Sequence, residues 1–182
     1  MKKTIFYISI IFLILNQGCK GERNNENVDL DSKKTKELIS QVLIDEKERA
    51  VSMSMTSDFN QTVQKFLKIK DTVHLNLQLK LQRDFIITPD LVTDKNILTQ
   101  KQFSEFEKQS EKGGFSFWNW LESNCYEGYC SISKPIFNET YDLAFIRFGT
   151  VCGSLCGGRE SCIYEFKNGK WVKVKTISSW VS

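Results

Sequence analysis

The sequence predicts an α+β fold, with N-terminal helices packed on an antiparallel β-meander of about four or five strands. Three observations carry this. Residues 33–53 place apolar side chains at helical spacing, the last third alternates in strand fashion between turn residues, and aromatic side chains are plentiful. Thirteen Phe, four Trp and five Tyr supply enough apolar area for a core in a chain of 182 residues.

The elements follow in order. Ser32 is placed to cap a helix over residues 33–53, where Leu38, Ile39, Val42, Leu43, Glu46 and Ala50 recur on one stripe. Asp58 is placed to cap a second helix that turns Phe59, Val63, Phe66 and Leu67 to one face. The period then changes. In "VHLNLQLKLQ", Val73, Leu75, Leu77, Leu79 and Leu81 alternate with His74, Asn76, Gln78, Lys80 and Gln82, which predicts a strand with one wet face. Residues 85–97 read as irregular, broken by Pro89. Thr99 starts a helix through Glu111 with Phe103 and Phe106 facing in, and Gly113 and Gly114 stop it. "FSFWNWLES" predicts a short aromatic helix.

The meander begins with "SISKPIFN" as one strand and turns at Asn138–Thr140. "YDLAFIRFGTV" is apolar on both faces, as a central, doubly covered strand is. A cysteine-rich loop, "CGSLCGGRESC", leads to the strand "CIYEF". Lys167-Asn168-Gly169-Lys170 predicts a type I′ hairpin, because Asn and Gly accept positive φ. "WVKVKTISSWVS" then closes the sheet, with Val172 and Val174 on one face and Trp171, Lys173 and Lys175 on the other.

The chain opens with a basic pair, Lys2 and Lys3, and an apolar run from Ile5 to Leu15 broken by Ser9. This is the anatomy of a secretory signal peptide, assigned to residues 1–18. The run is too short for a membrane span, which needs about 20 apolar residues. Its end, Leu15-Asn16-Gln17-Gly18-Cys19, resembles the lipobox of bacterial lipoproteins. There a small residue precedes the cysteine that is lipidated and becomes the new N-terminus. Gly18 fits; Asn16 and Gln17 depart from the family's Leu and small residue. The resemblance implies acylation (palmitate) of Cys19 and a bacterial envelope location, anchored to the outer membrane. Two or more acyl chains hold a protein stably where one does not. Residues 19–34 are polar and Asn-rich, and read as a flexible tether. Residues 35–182 form a single globular domain, with the membrane as a partner through the lipid.

Removing the signal leaves 23 basic against 22 acidic residues. With no basic stripe, nucleic acid has no support as a partner. No P-loop, GxGxxG or GxSxG occurs, and no cofactor is implied. His74 is the one histidine, which argues against Ser-His triads and His-rich metal sites; it is expected on the solvated face of its strand. No catalytic residue is assigned. Glu105, Glu107, Asp45, Glu46, Glu48, Glu122 and Glu127 are the acids available to the alternative function, an acid-based hydrolase of envelope polymers.

"SKPIFN", the Cys-Gly pair of "CGSLCG", "NGKW" and the terminal "SSWVS" together resemble a group of small bacterial secreted proteins, many of them lipoproteins, without an assigned activity. The resemblance covers about residues 115–182 and implies a compact hairpin module. Apart from Cys19, five cysteines remain: Cys125, Cys130, Cys152, Cys156 and Cys162. An oxidising envelope favours disulfides, and each choice of odd cysteine leaves three pairings of the other four. The resembling proteins keep Cys152 and Cys156, which implies that bridge. The glycines that follow them allow positive φ and bring the two Cα atoms within ~4.4–6.8 Å. A second bridge, Cys125–Cys130, then closes "CYEGYC" and leaves Cys162 over. A four-thiolate zinc site from Cys125, Cys130, Cys152 and Cys156 is the alternative; its spacings are not the familiar C-x2-C, and no metal is assigned.

The expected function is a non-enzymatic binding or interaction module, held in the envelope, for an envelope protein or ligand. Gly153, Ser154, Leu155, Gly157 and Gly158 are the residues expected to face the partner. Phe115, Phe117, Trp118, Trp120, Tyr126 and Tyr129 are a second aromatic cluster, for which plain core is the competing reading.

Overall fold

The structure is a computed structural model that describes residues 20–44, 50–53, 59–93, 95–111, 117–125, 127–153 and 155–182. The chain divides into two compact units, 1–34 and 35–182. The signal segment and Cys19 lie outside the described residues. In the first unit, residues from Lys20 onward are helical, inside the segment assigned above to a tether. No helix among the described residues is long and apolar enough to cross a membrane.

The second unit is α+β, and its sheet is larger and less uniform than expected. Among the described residues it has seven strands: β1 (Ala50–Met53), β2 (Ile97–Leu98), β3 (Tyr129–Ile132), β4 (Ile136–Phe137), β5 (Leu143–Gly153), β6 (Cys156–Lys167) and β7 (Lys170–Val181). The order is β2-β1-β3-β5-β6-β7, with β4 also pairing β5. β3 to β7 make the expected antiparallel meander. β1 lies parallel to both β2 and β3, so the sheet is mixed rather than antiparallel. Parallel neighbours need long crossovers, and helices fill them here: α2 (Gln61–Leu67) and α3 (Thr72–Arg83) between β1 and β2, and α4 (Gln100–Glu111) and α5 (Phe117–Asn124) between β2 and β3.

Helix α1 (Lys20–Val42) buries Leu38 and Ile39 as its stripe predicts, but it ends at Val42 instead of reaching residue 53. Ala50–Met53 is strand. Ala50 and Val51 are both buried, in clusters on opposite faces of the sheet. Alternating strand geometry satisfies that demand and a one-striped helix does not. Asp58 lies outside the described residues, and α2 is capped instead by Asn60, whose Oδ1 accepts from Thr62 N and Val63 N. "SISKPIFN" is broken at Pro135 into β3 and β4 rather than running as one strand. Gln102 Oε1 accepts from Thr99 N at 2.8 Å while Gln102 N donates to Thr99 Oγ1, a capping box at the expected start of α4. Asn168 (φ 51°) and Gly169 (φ 79°) form the predicted turn.

The largest correction is residues 73–82, which form helix α3 and not a strand. Asp71 caps it, accepting from Val73 N at 2.8 Å. Leu, Gln, Lys and Arg are good helix formers, and only Thr72 and Val73 are β-branched. Val73, expected in the buried row, is exposed, while His74 and Gln78 from the wet row are buried. Residues 74 and 78 are one helical turn apart, as are Leu75 and Leu79, which pack against the cluster of Val63, Leu67, Phe145 and Ile163. The predicted solvated histidine is therefore a core residue.

That buried pair positions the sheet. Phe137 pairs with Ala144 of β5, and its outward backbone groups meet α3: Phe137 N donates to Gln78 Oε1 at 3.0 Å and His74 Nε2 donates to the Phe137 carbonyl at 3.0 Å. Tyr141 closes over them, edge-on to His74 with centroids 5.7 Å apart. β5 is covered on both faces as predicted, by Ala144 and Ile146 toward α1 and by Phe145 toward α2 and α3. The outer end of the sheet is tied back to α1, where Trp171 N donates to Gln41 Oε1 at 2.9 Å and Gln41 Nε2 donates to the Trp171 carbonyl.

Gln78→Leu leaves the buried Phe137 N–H without its acceptor. Urea unfolding is expected to show a loss of about 1–3 kcal/mol, against a change within about 0.5 kcal/mol for the exposed Asn76→Leu on the same helix.

Candidate functional site: the clipped hairpin end

β5 and β6 stay in register down to Gly153 and Cys156, with a bulge between Val151 and Gly153. The predicted loop is thus largely strand, since β5 runs to Gly153 and β6 begins at Cys156. Cys152 and Cys156 form the expected disulfide, with Cα atoms 5.1 Å apart. Its glycines act differently from the sequence reading. The positive-φ glycines among the described residues are Gly128 and Gly169. Gly157 and Gly158 instead permit close strand approach: a Cβ on Gly157 would sit 3.0 Å from the Thr150 carbonyl oxygen, and one on Gly158 3.2 Å from that of Trp180.

β7 forms the outer edge of the sheet beside this end. Its register with β6 shifts twice, leaving Val174 and Ile177 as extra residues. Beyond the second shift Ser178–Val181 pairs regularly with Gly158–Ser161, and Ser182 N donates to the Gly157 carbonyl at 2.9 Å. The result is an apolar end: Leu155 is 88 % exposed, Val181 87 % and Trp180 49 %. The Arg159 guanidinium lies 5.7 Å from the Trp180 ring centroid and holds it across the strand pair. Lys173 pairs with Glu160. Burial opposes the Lys173 charge, but the Glu160 carboxylate overrides it and raises the amine above its ordinary range.

Of the residues expected to face a partner, Leu155 does so most fully, Gly153 ends β5, and Gly157 and Gly158 lie within β6; Ser154 is outside the described residues. Trp180, Val181 and Arg159 were not singled out in the sequence. Their signal was present in the terminal Trp-Val of the last strand, read only as sheet closure.

The second disulfide is not formed. Cys125 and Cys130 are buried and carry no bridge. Cys130 packs with Val51 and Ile132 on one face of the sheet, and Cys125 packs with Ala50, Leu98 and Leu121 on the other. Cys130 lies within β3, whereas Cys125 directly follows helix α5, and the two side chains pack into different clusters. Cys162 is buried too, its Sγ 3.7 Å from Thr176 Oγ1. Among the described residues no group of three or more His, Cys, Asp or Glu stands together as metal ligands. Burial pushes the Cys125 and Cys162 thiols above their ordinary range, the reverse of what a nucleophilic thiol needs.

The aromatic cluster is core. Phe117, Trp118, Trp120 and Tyr129 pack with Phe103 around Leu98 and Leu121, and the Trp120 and Phe106 centroids are 4.0 Å apart. Phe115 and Tyr126 fall outside the described residues, as do Asp45, Glu46 and Glu48, and the Glu107 side chain is not described. Glu105 is exposed in a pair with Lys101, and Glu122 and Glu127 are exposed. No family model matches the chain, and no curated protein or solved structure matches it.

Two expectations follow. A Cys152→Ser/Cys156→Ser double variant loses about 2 kcal/mol or less, because the closed loop is short; amide exchange speeds up at residues 150–158 while the core stays protected. The thiol shifts set a pH dependence. Unfolded thiols ionise near 9.0 while buried Cys125 and Cys162 keep their protons, so the unfolded state binds fewer protons and stability falls as pH rises through 9.0. Equilibrium unfolding between neutral and strongly alkaline pH measures it. The slope shrinks in Cys125→Ala/Cys162→Ala.

Proposed function

We propose that this protein is a non-enzymatic binding module of the bacterial envelope, anchored to the outer membrane through lipid on Cys19, whose clipped hairpin end docks on an envelope protein. The observation that carries the reading is that Leu155, Trp180 and Val181, three large exposed apolar side chains, all lie near one end of a disulfide-held hairpin, Trp180 and Val181 on opposite faces of the last strand. Scattered exposed apolar residues need no explanation, but three within a few residues of one hairpin end favour a contact there. The clip and the Ser182–Gly157 hydrogen bond hold that end in one shape, which lowers the ordering cost of binding. The resemblance to small secreted lipoproteins and the lipobox-like segment before Cys19 support the location. Of the acids available to the hydrolase reading, Glu105, Glu122 and Glu127 are exposed rather than set in a buried cleft.

Two measurements test the reading. Intact mass of the chain from membranes is expected to fit a start at Cys19 with three acyl chains; an unlipidated secreted chain overturns the anchor. A photo-crosslinking residue at Leu155 in living cells is expected to give one discrete protein adduct. With the crosslinker moved to Ser179, the adduct is expected to disappear in Leu155→Asp/Val181→Asp. No adduct at either position, or one indifferent to the charges, overturns the docking role.

A further inference from the structure

β7 is the last strand of the sheet, and among the described residues no strand pairs with its outer side. Every residue from Ser178 to Val181 is exposed. The direction of its backbone groups follows from its inner side. Ser182 N donates inward to the Gly157 carbonyl, and the Trp180 carbonyl oxygen lies against Gly158. Backbone groups alternate in direction along a regular strand, so the N–H and C=O of Ser179 and Val181 point away from the sheet. Outward groups on an exposed edge are a template for one more strand.

The charge pattern narrows what that strand is. Residues 176–182 carry no charged side chain, whereas Lys170, Lys173 and Lys175 precede them. This stretch can pair antiparallel with its own copy about a two-fold axis through Ser179. Ser179 then faces Ser179 of the other copy, and the two exchange both N–H···O bonds, as their outward groups allow. Trp180 falls opposite Ser178, whose short side chain leaves room for the indole. The lysines lie outside the paired stretch, so no like charges meet. A register centred on Lys175 instead sets the two lysines against each other.

The faces of the sheet agree. An antiparallel pair turns on an axis perpendicular to the sheet and keeps like faces together. A parallel pair turns one sheet over. Leu38 and Ile39 of α1 pack with Ile146 and Trp171 on one face. In the antiparallel pair both copies carry residues 35–42 of α1 on the same side, as two chains tethered to one membrane require.

We infer that the partner docked at this edge is a second copy of the chain, joined through Ser178–Trp180 of β7 into one continuous sheet. The inference rests on the docking reading above and names its partner. A short strand pair buries less than the roughly 1,000 Å² of a stable interface. Tethering on one membrane raises the local concentration and sustains it.

Ser179→Cys sets two thiols across the axis with Cα atoms about 5.5 Å apart, within disulfide reach. Ser178→Cys sets them diagonally, about 7–8 Å apart and out of reach. The full chain in intact cells, treated with a mild thiol oxidant, is read on non-reducing gels. Ser179→Cys is expected to form dimer at least about tenfold faster than Ser178→Cys. The purified chain from residue 19 with Cys19→Ser repeats the comparison at millimolar concentration, independent of the lipid. By sedimentation of that soluble chain, Ser179→Lys and Ser179→Glu are each expected to be monomeric, and their equimolar mixture to dimerise. Both change an exposed side chain, and circular dichroism checks their fold. Equal crosslinking at 178 and 179, a dimer indifferent to either charge, or a mixture that stays monomeric overturns self-pairing. A Leu155 adduct with a protein of another mass, without a Cys dimer, overturns self-pairing and leaves the docking role standing; neither adduct nor dimer overturns both.

Discussion

The backbone of Phe137 is the point on which the domain is assembled. β4 is two residues long, and only one side of it is paired by β5. Its other side would leave a buried N–H and carbonyl unsatisfied, at a cost comparable to a lost hydrogen bond. Gln78 and His74, one turn apart on α3, take both groups. Apolar contacts are non-directional and tolerate sliding. Two side-chain bonds to one residue do not, so they fix the helix in rotation and in translation. Leu75 and Leu79 are thereby aimed at Phe145 and Ile163. The turn after β4 locks onto the same helix. Glu139 accepts from Lys70 N and Asp71 N just before α3. Burial opposes its charge, but those two N–H groups hold its carboxyl below the usual range. The side chain of Asn138 receives Asp142 N and Leu143 N and donates to Asp142. That network stabilises Tyr141 at φ 55°, a left-handed conformation uncommon for a non-glycine residue.

This constraint explains what was legible in the sequence and what was not. Elements whose local chemistry and burial agree were readable: the Thr99 capping box, the Asn168-Gly169 turn, and β5, whose apolar residues on both faces announce a covered strand. α3 was not. Its alternating leucines carry a period of two, yet burial follows a period of four, because Gln78 and His74 are needed inside by another strand's backbone. That requirement comes from a residue about sixty positions away and leaves no mark on the local pattern. β1 and β2 were missed for a similar reason. Four and two residues long, they owe their state to pairing with β3 and with each other. The bridge between Cys152 and Cys156 was reached through resemblance. The proposed bridge between Cys125 and Cys130 overlooked that Cys125 is held at the end of α5, by its N–H donating to the Leu121 carbonyl, and packs in a different cluster from Cys130 of β3.

The hairpin end obeys a different rule from the core. The closed disulfide loop is too short to remove much unfolded-chain entropy, so its main effect is local. It holds a bulge and a tight turn next to glycines that already bring three strands into close contact. Stiffness of this kind adds little to folding and matters most when a surface must keep one shape on meeting another.

The two ends of β7 show where such a meeting is permitted. A long outer strand invites pairing with any extended chain, and proteins blunt such edges with bulges and lysines. The first part of β7 carries both devices: Lys170, Lys173 and Lys175, and extra residues at Val174 and Ile177. Lys175 is further drawn over the Phe66 ring, 4.0 Å from its centroid, and Lys173 to Glu160. From Ser178 onward the devices stop. The strand is regular, uncharged and ends in Trp180 and Val181, the residues next to the exposed Leu155 turn. Protection thus covers the part of the edge beside the core and lapses where the clipped end begins. The proposed docking role rests on that unguarded stretch of β7.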